Sequence, residues 1–321
     1  MSSQASSAPA VLIRNYSALS APLASLIARY QNGSVPQALM LSGPIGVGKR
    51  TLAKLLSLCL FCQADDAPCG VCKACKRLNA ETHPNLLVIR AKPGEKSIKI
   101  DQVRDMLAQL KSYPLEKGRR AVILEDFDLF TVPAQNALLK AIEEPDAATV
   151  YVLTTTNEKA VLPTILSRCL LQRLPAWPDA MVADFLHNNG LSDQEVRKLV
   201  PLTSGSPGTA LLLEHDEDFW ALKAKADQAI AGLKDLSGLP EASDQLKDLR
   251  LDANQLLDYL EARAHADFAR NKSLSPEAKR KHRAMLEAIF LARRQRASNV
   301  SWQGIADQML LNISEEYLSC P

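Results

Sequence analysis

The chain has 321 residues, 47% of them hydrophobic, which is enough apolar material for more than one core and points to two or three domains. A formal charge of +2, with 23% charged residues, excludes a chain coated in positive charge for nucleic acid or an anionic membrane, so any DNA contact is expected to be local. No apolar run approaches the roughly 20 residues that span a bilayer. The Ser/Ala/Gln/Pro opening lacks the charged and apolar regions of a signal peptide, so a cytoplasmic protein with a disordered start over residues 1–12 is expected.

The first apolar run, Ala38 to Leu41, leads into Gly43-Pro44-Ile45-Gly46-Val47-Gly48-Lys49-Arg50-Thr51 and then the helical Leu52-Ala53-Lys54-Leu55-Leu56. Strand, glycine-rich loop and helix in that order are the setting of a phosphate loop, where backbone N–H groups and a lysine, here Lys49, cradle phosphates at a helix N-terminus. The residue after the lysine should carry a hydroxyl that holds Mg²⁺. Here it is Arg50, which offers no lone pair to a cation, and Thr51 lies about 100° further round the helix. Nucleotide binding stays open, while metal-assisted hydrolysis is not expected.

Five of the seven cysteines, Cys59, Cys62, Cys69, Cys72 and Cys75, fall within 17 residues. Such clustering in a chain read as intracellular points to metal rather than disulfides. Cys62, Cys69, Cys72 and Cys75 form C-x6-C-x2-C-x2-C in a polar insertion, a spacing that lets four thiolates surround one tetrahedral Zn²⁺ as a closed structural site. Cys59, on the apolar helix, either competes with Cys62 as first ligand or is a small buried hydrophobe. A redox dithiol is the rival for the whole cluster.

Further Val-, Ile- and Leu-rich runs at Leu86 to Ile89, Ala121 to Leu124, Val150 to Leu153 and Leu170 to Leu174 alternate with helical patterns, which predicts an α/β fold with a parallel sheet buried on both faces. The third run ends in Glu125-Asp126, where hydrolytic phosphate-loop sites carry Asp then Glu, one for the Mg²⁺ shell and one to orient water. The reversed order displaces each carboxylate by about 1 Å, a misplacement that costs on the order of a hundredfold in rate. The alternative is that both acids meet only solvent or a neighbouring base.

Beyond Leu174, Pro175, Pro178, Asn189-Gly190 and Gly205-Ser206-Pro207-Gly208 punctuate a small helical module. Strand signals then vanish. Leu246, Leu249, Ala253, Leu256, Leu257, Leu260, Ala264 and Phe268 recur at three and four, as do Trp302, Ile305, Met309, Ile313 and Tyr317, the pattern of helices packed on a core. Between Arg263 and Arg296 stand ten Lys or Arg against three Asp or Glu, whereas Glu241 to Ala262 has two against six. That asymmetry fits a phosphate-facing surface, a subunit interface or a solvated helical face.

The blocks Val132-Pro133-Ala134-Gln135-Asn136-Ala137-Leu138-Leu139-Lys140-Ala141-Ile142-Glu143-Glu144-Pro145, Leu153-Thr154-Thr155-Thr156-Asn157 and Leu162-Pro163-Thr164-Ile165-Leu166-Ser167-Arg168-Cys169 closely resemble the signature helix, sensor 1 strand and Ser-Arg-Cys motif of AAA+ clamp-loader subunits of bacterial DNA polymerase III. The resemblance spans about Ala38 to Leu213. It implies an AAA+ P-loop domain over 13–174 with a zinc module at 59–78, a helical lid over 175–213 and a helical collar for oligomerisation over 214–321. Gly43, Gly46, Gly48, Lys49, Arg50, Thr51, Glu125, Asp126 and Thr155 would mark a degenerate ATP/Mg²⁺ site. Cys62, Cys69, Cys72 and Cys75 would hold structural Zn²⁺, although the first gap in the family is usually two residues longer. Arg168 would be an arginine finger that reaches a neighbouring subunit's ATP, the plainer reading being an arginine that caps a helix end.

Motor members of the family carry an arginine where Gly208 stands. The departures at Arg50, at Glu125-Asp126 and at Gly208 occur together, and the Gly-Ser-Pro-Gly turn is similar to the lid of the delta-prime branch. The resemblance therefore implies a non-hydrolysing, delta-prime-like stator, with an ATP-hydrolysing gamma/tau-like motor as the alternative. Its implied partners are the gamma/tau motor and delta subunits in a heteropentamer, the sliding clamp, and primer-template DNA contacted through its backbone.

Overall fold

The computed structural model describes residues 9–65, 67–92, 94–111, 118–144, 148–233, 236–250, 252–270, 275–298 and 300–318, which fall into two compact units. The first takes the described residues up to Gly190 together with Gly205–Thr209. The second takes Leu191–Ser204 and the described residues from Ala210 onward. Among the described residues no helix is long and apolar enough to cross a membrane.

The first unit opens with α1 (Pro9–Leu19) and α2 (Ala21–Gln31). Residues 9–12, which the sequence reading leaves in a disordered start, form the first turn of α1. Proline suits the first helical position because its missing N–H would have no partner there, and buried Tyr16 anchors the helix. Next come β1 (Ala38–Ser42), α3 (Lys49–Phe61), α4 (Lys73–Asn79), β2 (Leu86–Ile89), α5 (Ile100–Leu110), β3 (Arg120–Leu124), α6 (Val132–Glu143), β4 (Thr149–Thr155), α7 (Pro163–Leu166), β5 (Leu170–Arg173) and α8 (Asp179–Asn188). Pro145, the end of the signature helix block, lies outside the described residues.

All five apolar runs become strands of one parallel sheet in the order β2-β3-β4-β1-β5. The inner strands β1, β3 and β4 are buried along their whole length, as continuous apolar runs covered on both faces must be, while the edge strands β2 and β5 are partly open. Met40, Val122, Leu124, Tyr151 and Leu153 from the sheet pack with Val103 and Met106 of α5 and with Ala134, Leu138 and Ile142 of α6. Because the strands are parallel, one end of the sheet gathers every strand C-terminus and the other every N-terminus.

The second unit is helical. It holds α9 (Asp193–Leu199), the part of α10 (Pro207–Glu214) from Ala210, and α11 (Glu217–Gly232), α12 (Leu239–Lys247), α13 (Ala253–Arg270), α14 (Pro276–Ala297) and α15 (Trp302–Leu318). The stripe from Leu246 to Phe268 is divided between α12 and α13, with the break at Leu249, whose φ/ψ of −83°/22° is not helical. Leu246, Leu249, Ala253, Leu256, Leu257, Leu260 and Ala264 are buried, as are Trp302, Ile305, Met309 and Ile313 of the last helix. Phe268 is half-buried, and the Tyr317 side chain lies outside the described residues.

Candidate functional site

The phosphate-loop sequence leaves the C-terminal end of β1, where Gly43, Gly46 and Gly48 take positive φ values of 158°, 77° and 92°. Gly46 and Gly48 lie in the left-handed region that favours glycine. The loop carbonyls are occupied one after another. Buried Lys49 turns its ammonium onto Gly43 O and Pro44 O at 2.8 and 2.7 Å. Ser206 Oγ donates to Ile45 O at 2.6 Å, the Gly208 N–H to Gly46 O at 2.9 Å, Trp177 Nε1 to Val47 O at 3.2 Å and Tyr16 Oη to Gly48 O at 2.8 Å. Burial pulls the Lys49 pKa down, against the opposing pull of Asp126 and Asp128. A Cβ on Gly208 would stand 2.9 Å from Gly46 O, closer than real Cβ contacts come, so no larger residue fits there with the loop as it stands.

Arg50, one residue on, reaches across to the end of β3. Its guanidinium hydrogen-bonds the Asp126 carboxylate and forms an ion pair with Glu125 at 3.2 Å. Glu125 is buried, and a second arginine, Arg90 just past β2, stands 3.6 Å from it. Burial raises the Glu125 pKa although Arg90 and Arg50 both oppose the rise. Arg90 also pairs with Glu81 at 2.5 Å, and Lys54 of α3 stands 3.8 Å from the same carboxylate. Asp126 itself sits in the left-handed region at φ 51°, its N–H given to Thr154 Oγ1 at 2.9 Å. At the end of β4 the Thr155 hydroxyl donates to Asp128 at 2.8 Å, while the Thr156 N–H and hydroxyl both donate to the same carboxylate at 3.0 Å. Thr51 follows Arg50 on the first turn of α3 and is exposed.

Arg168 lies at the other end of the sheet. Strand β5 pairs with β1 from Leu170 opposite Leu39 to Arg173 opposite Ser42, so Arg173 is level with the start of the phosphate loop and Arg168 precedes the far end of the strand. At about 3.3 Å per residue, Leu170 and Arg173 alone are roughly 10 Å apart. Arg168 lines an open groove with Pro36, Gln37, Ala38, Glu143 and Leu170, all at strand N-termini or helix ends.

The four cysteines of the C-x6-C-x2-C-x2-C pattern converge, with their Sγ atoms all within 4.8 Å of one another. Cys62 caps the C-terminus of α3, Cys72 caps the N-terminus of α4, and Cys75 is in the first turn of α4. The N–H groups of Cys69, Cys72 and Cys75 point at the sulfurs of Cys62, Cys69 and Cys72, at 3.3 to 3.4 Å. The backbone N–H groups of Cys72 and Val71 bring the Cys69 thiol down to about 6. Four sulfurs that close, three of them accepting an N–H, are a donor set that fits one tetrahedral ion. Cys59 is buried, stands outside the cluster, and burial pushes its thiol up to about 12.

In the second unit, Arg293 of the basic stretch pairs with Asp258 at 2.7 Å and Glu261 at 2.8 Å, both from the acidic stretch. Part of the charge asymmetry is therefore satisfied within the unit. Sequence reading missed the props of the loop, Tyr16, Trp177 and Ser206, and the charged neighbours Arg90, Asp128 and Glu143. Arg90 had one usable signal: it directly follows a predicted parallel strand, and ligand-facing groups gather at strand C-termini.

Together these features define a parallel α/β protein with a phosphate-loop sequence whose loop carbonyls are held by its own side chains. A family model described as "DNA polymerase III, delta subunit" matches residues 20–177, just under half of the chain, which is thus similar to this family. "DNA polymerase III subunit delta'" of Pseudomonas aeruginosa is 38% identical over 62% of this chain and 61% of its own length. The protein of the same name from Escherichia coli is 33% identical over 64% and 62%. "DNA polymerase III subunit tau" of Salmonella typhimurium is 31% identical over 77% of this chain but 37% of its own length. The chain thus spans a little over three fifths of these two delta' relatives and about half of the others that it matches.

Proposed function

We propose that the chain is a delta-prime-like, AAA+ stator of the DNA polymerase III clamp loader, which hydrolyses no ATP itself and supplies Arg168 to the ATP site of a neighbouring motor subunit. One observation carries this reading: Arg50, in the place of the Mg²⁺-holding hydroxyl, pairs with both Glu125 and Asp126. A protein cation thereby occupies the acids that would otherwise face the metal and the attacking water. Lys49, bonded to the carbonyls of its own loop, is likewise turned away from a phosphate.

Arg168 suits action on a neighbour because it stands at the opposite end of the sheet from its own loop. A guanidinium placed against a γ-phosphate stabilises the charge that spreads over the transferred oxygens, stays ionised, and bonds two of them at once. Cys62, Cys69, Cys72 and Cys75 would hold a Zn²⁺ ion that serves as a structural cross-link between α3 and α4. The partners on this reading are the gamma/tau motor and delta subunits of a pentamer, the sliding clamp and the backbone of primer-template DNA, in the cytoplasm. The similarity to tau, which covers more of this chain than either delta' match, favours the second reading, an ATP-hydrolysing motor.

ATP hydrolysis by the chain alone, and then mixed with motor subunits, separates the two. Silence alone with Arg168-dependent hydrolysis in the mixture is the expected result; Mg²⁺-dependent turnover by the isolated chain establishes the motor instead.

A further inference from the structure

Glu143 is the last residue of α6, where the helix dipole disfavours a carboxylate. Its partner there is Arg168, whose Nη2 donates to Glu143 Oε1 at 2.8 Å. On its other side the guanidinium donates through Nη1 to the Thr164 carbonyl at 2.9 Å and to Ser167 Oγ at 3.4 Å. The guanidinium is therefore gripped from α6 and from α7 at once. The chain leading into α7 is fixed by α6 as well. Buried Gln135 accepts the Leu162 N–H at 2.9 Å and donates to Phe130 O and Ala160 O, both at 3.0 Å.

We infer that Glu143 is the positioning residue of Arg168. It fixes one orientation of the guanidinium at the mouth of the groove lined by Pro36, Gln37, Ala38 and Leu170. Arginine carries many rotamers, and a fork already held in place loses less freedom when it meets a phosphate. This inference rests on the reading of Arg168 as a group acting on a neighbouring subunit. An approach misplaced by about 1 Å costs up to a hundredfold in rate.

The test uses the full chain assembled with motor subunits. Glu143→Ala is expected to lower kcat on the order of tenfold with KM for ATP unchanged, the pattern of an interaction made only in the transition state. Glu143→Gln, which keeps an acceptor oxygen, recovers most of the rate, and in an Arg168→Ala background Glu143→Ala has no further effect. In the isolated chain, the Arg168 guanidinium NMR signals show slowed rotation that Glu143→Ala releases, a readout independent of assembly. Wild-type or raised kcat in Glu143→Ala, an equal loss with Arg168 already removed, or unchanged guanidinium rotation overturns the positioning role and leaves the trans-acting arginine standing. Wild-type kcat in Arg168→Ala alone removes the reading beneath it.

Discussion

The two ends of the sheet carry two arginines in opposite circumstances. At the C-terminal end Arg50 lies between two carboxylates, and the loop beside it has its carbonyls bonded to Lys49, Ser206, Gly208, Trp177 and Tyr16. At the N-terminal end Arg168 has one carboxylate partner and lies on an open groove. Polar groups that satisfy one another internally stabilise a fold and leave little for a ligand. The phosphate-loop end is thus filled by the protein's own side chains, while the opposite end carries an arginine on a groove.

The largest expected effect breaks the comparison at its open end. In the assembly with motor subunits, Arg168→Ala should lower ATP hydrolysis by about 10³ to 10⁵, the range for arginine fingers, while circular dichroism of the isolated chain stays unchanged and its Tm falls by no more than roughly 4 °C. The pair with Glu143 is half-exposed, so its loss costs the fold no more than about 1 kcal/mol.

Metal removal acts on the α3–α4 pair, whose far end reaches the phosphate-loop side through Glu81. Zinc analysis should give about one ion per chain, and a chelator, or Cys69→Ser with Cys72→Ser, should lower Tm by roughly 10 °C or more, since a structural Zn²⁺ contributes folding free energy directly. Helix α4 should become protease-sensitive first. Glu81, which follows α4, ties this module to Arg90 and thence to Glu125, so the damage reaches the phosphate-loop end and leaves the groove around Arg168 intact. A chain with no bound metal and an unmoved Tm under chelation would overturn the zinc assignment.

Removing the cation at the closed end is a subtler break. Arg50→Ala leaves buried Glu125 with Arg90 alone, and the Glu125 pKa, already raised by burial, rises further. A folded-state pKa above the unfolded one means that the ionised carboxylate destabilises the fold at pH above that pKa, and that the penalty fades as pH falls through it. The variant should therefore lose about 1 kcal/mol at pH 8, a modest figure because Arg50 is more than half exposed, and less at pH 5. Urea unfolding at the two pH values measures it. A loss that grows toward pH 5 contradicts the pairing.

Much of this contrast was legible in the residues alone. The five strands lie within two residues of the apolar runs, because a parallel sheet covered on both faces demands uninterrupted Val, Ile and Leu. Arg50 and Gly208 stood out because chemistry fixes what those positions need. What Arg50 does instead was not legible: its partners are 75 and 76 residues away, and only the pairing of β3 beside β4 and β1 brings them to it. The same holds for Tyr16, 32 residues before the carbonyl that it caps. The first turn of α1 was missed because a Ser/Ala/Pro-rich opening gives no periodicity, and its anchor, Tyr16, lies a turn and a half further on.

The smallest expected effect concerns Asp128, which gathers three donors from the end of β4 and so holds Thr155 away from any ligand. Burial alone would raise its pKa, but the Thr156 N–H and the Thr155 hydroxyl outweigh it and hold the carboxyl below the usual range. A lowered folded-state pKa contributes stability that is present above the unfolded value and lost as pH falls through the folded one. In Asp128→Asn the amide still accepts from two donors but faces the third with an N–H. The variant should lose about 0.5 to 1.5 kcal/mol at pH 7, the net worth of one hydrogen bond, and its disadvantage should shrink below pH 4 as the wild-type carboxylate protonates. If the closed end is as self-contained as its bonds indicate, the substitution leaves Arg168-dependent hydrolysis in the assembly untouched. A change in that rate would mean instead that the two ends of the sheet are coupled through β4.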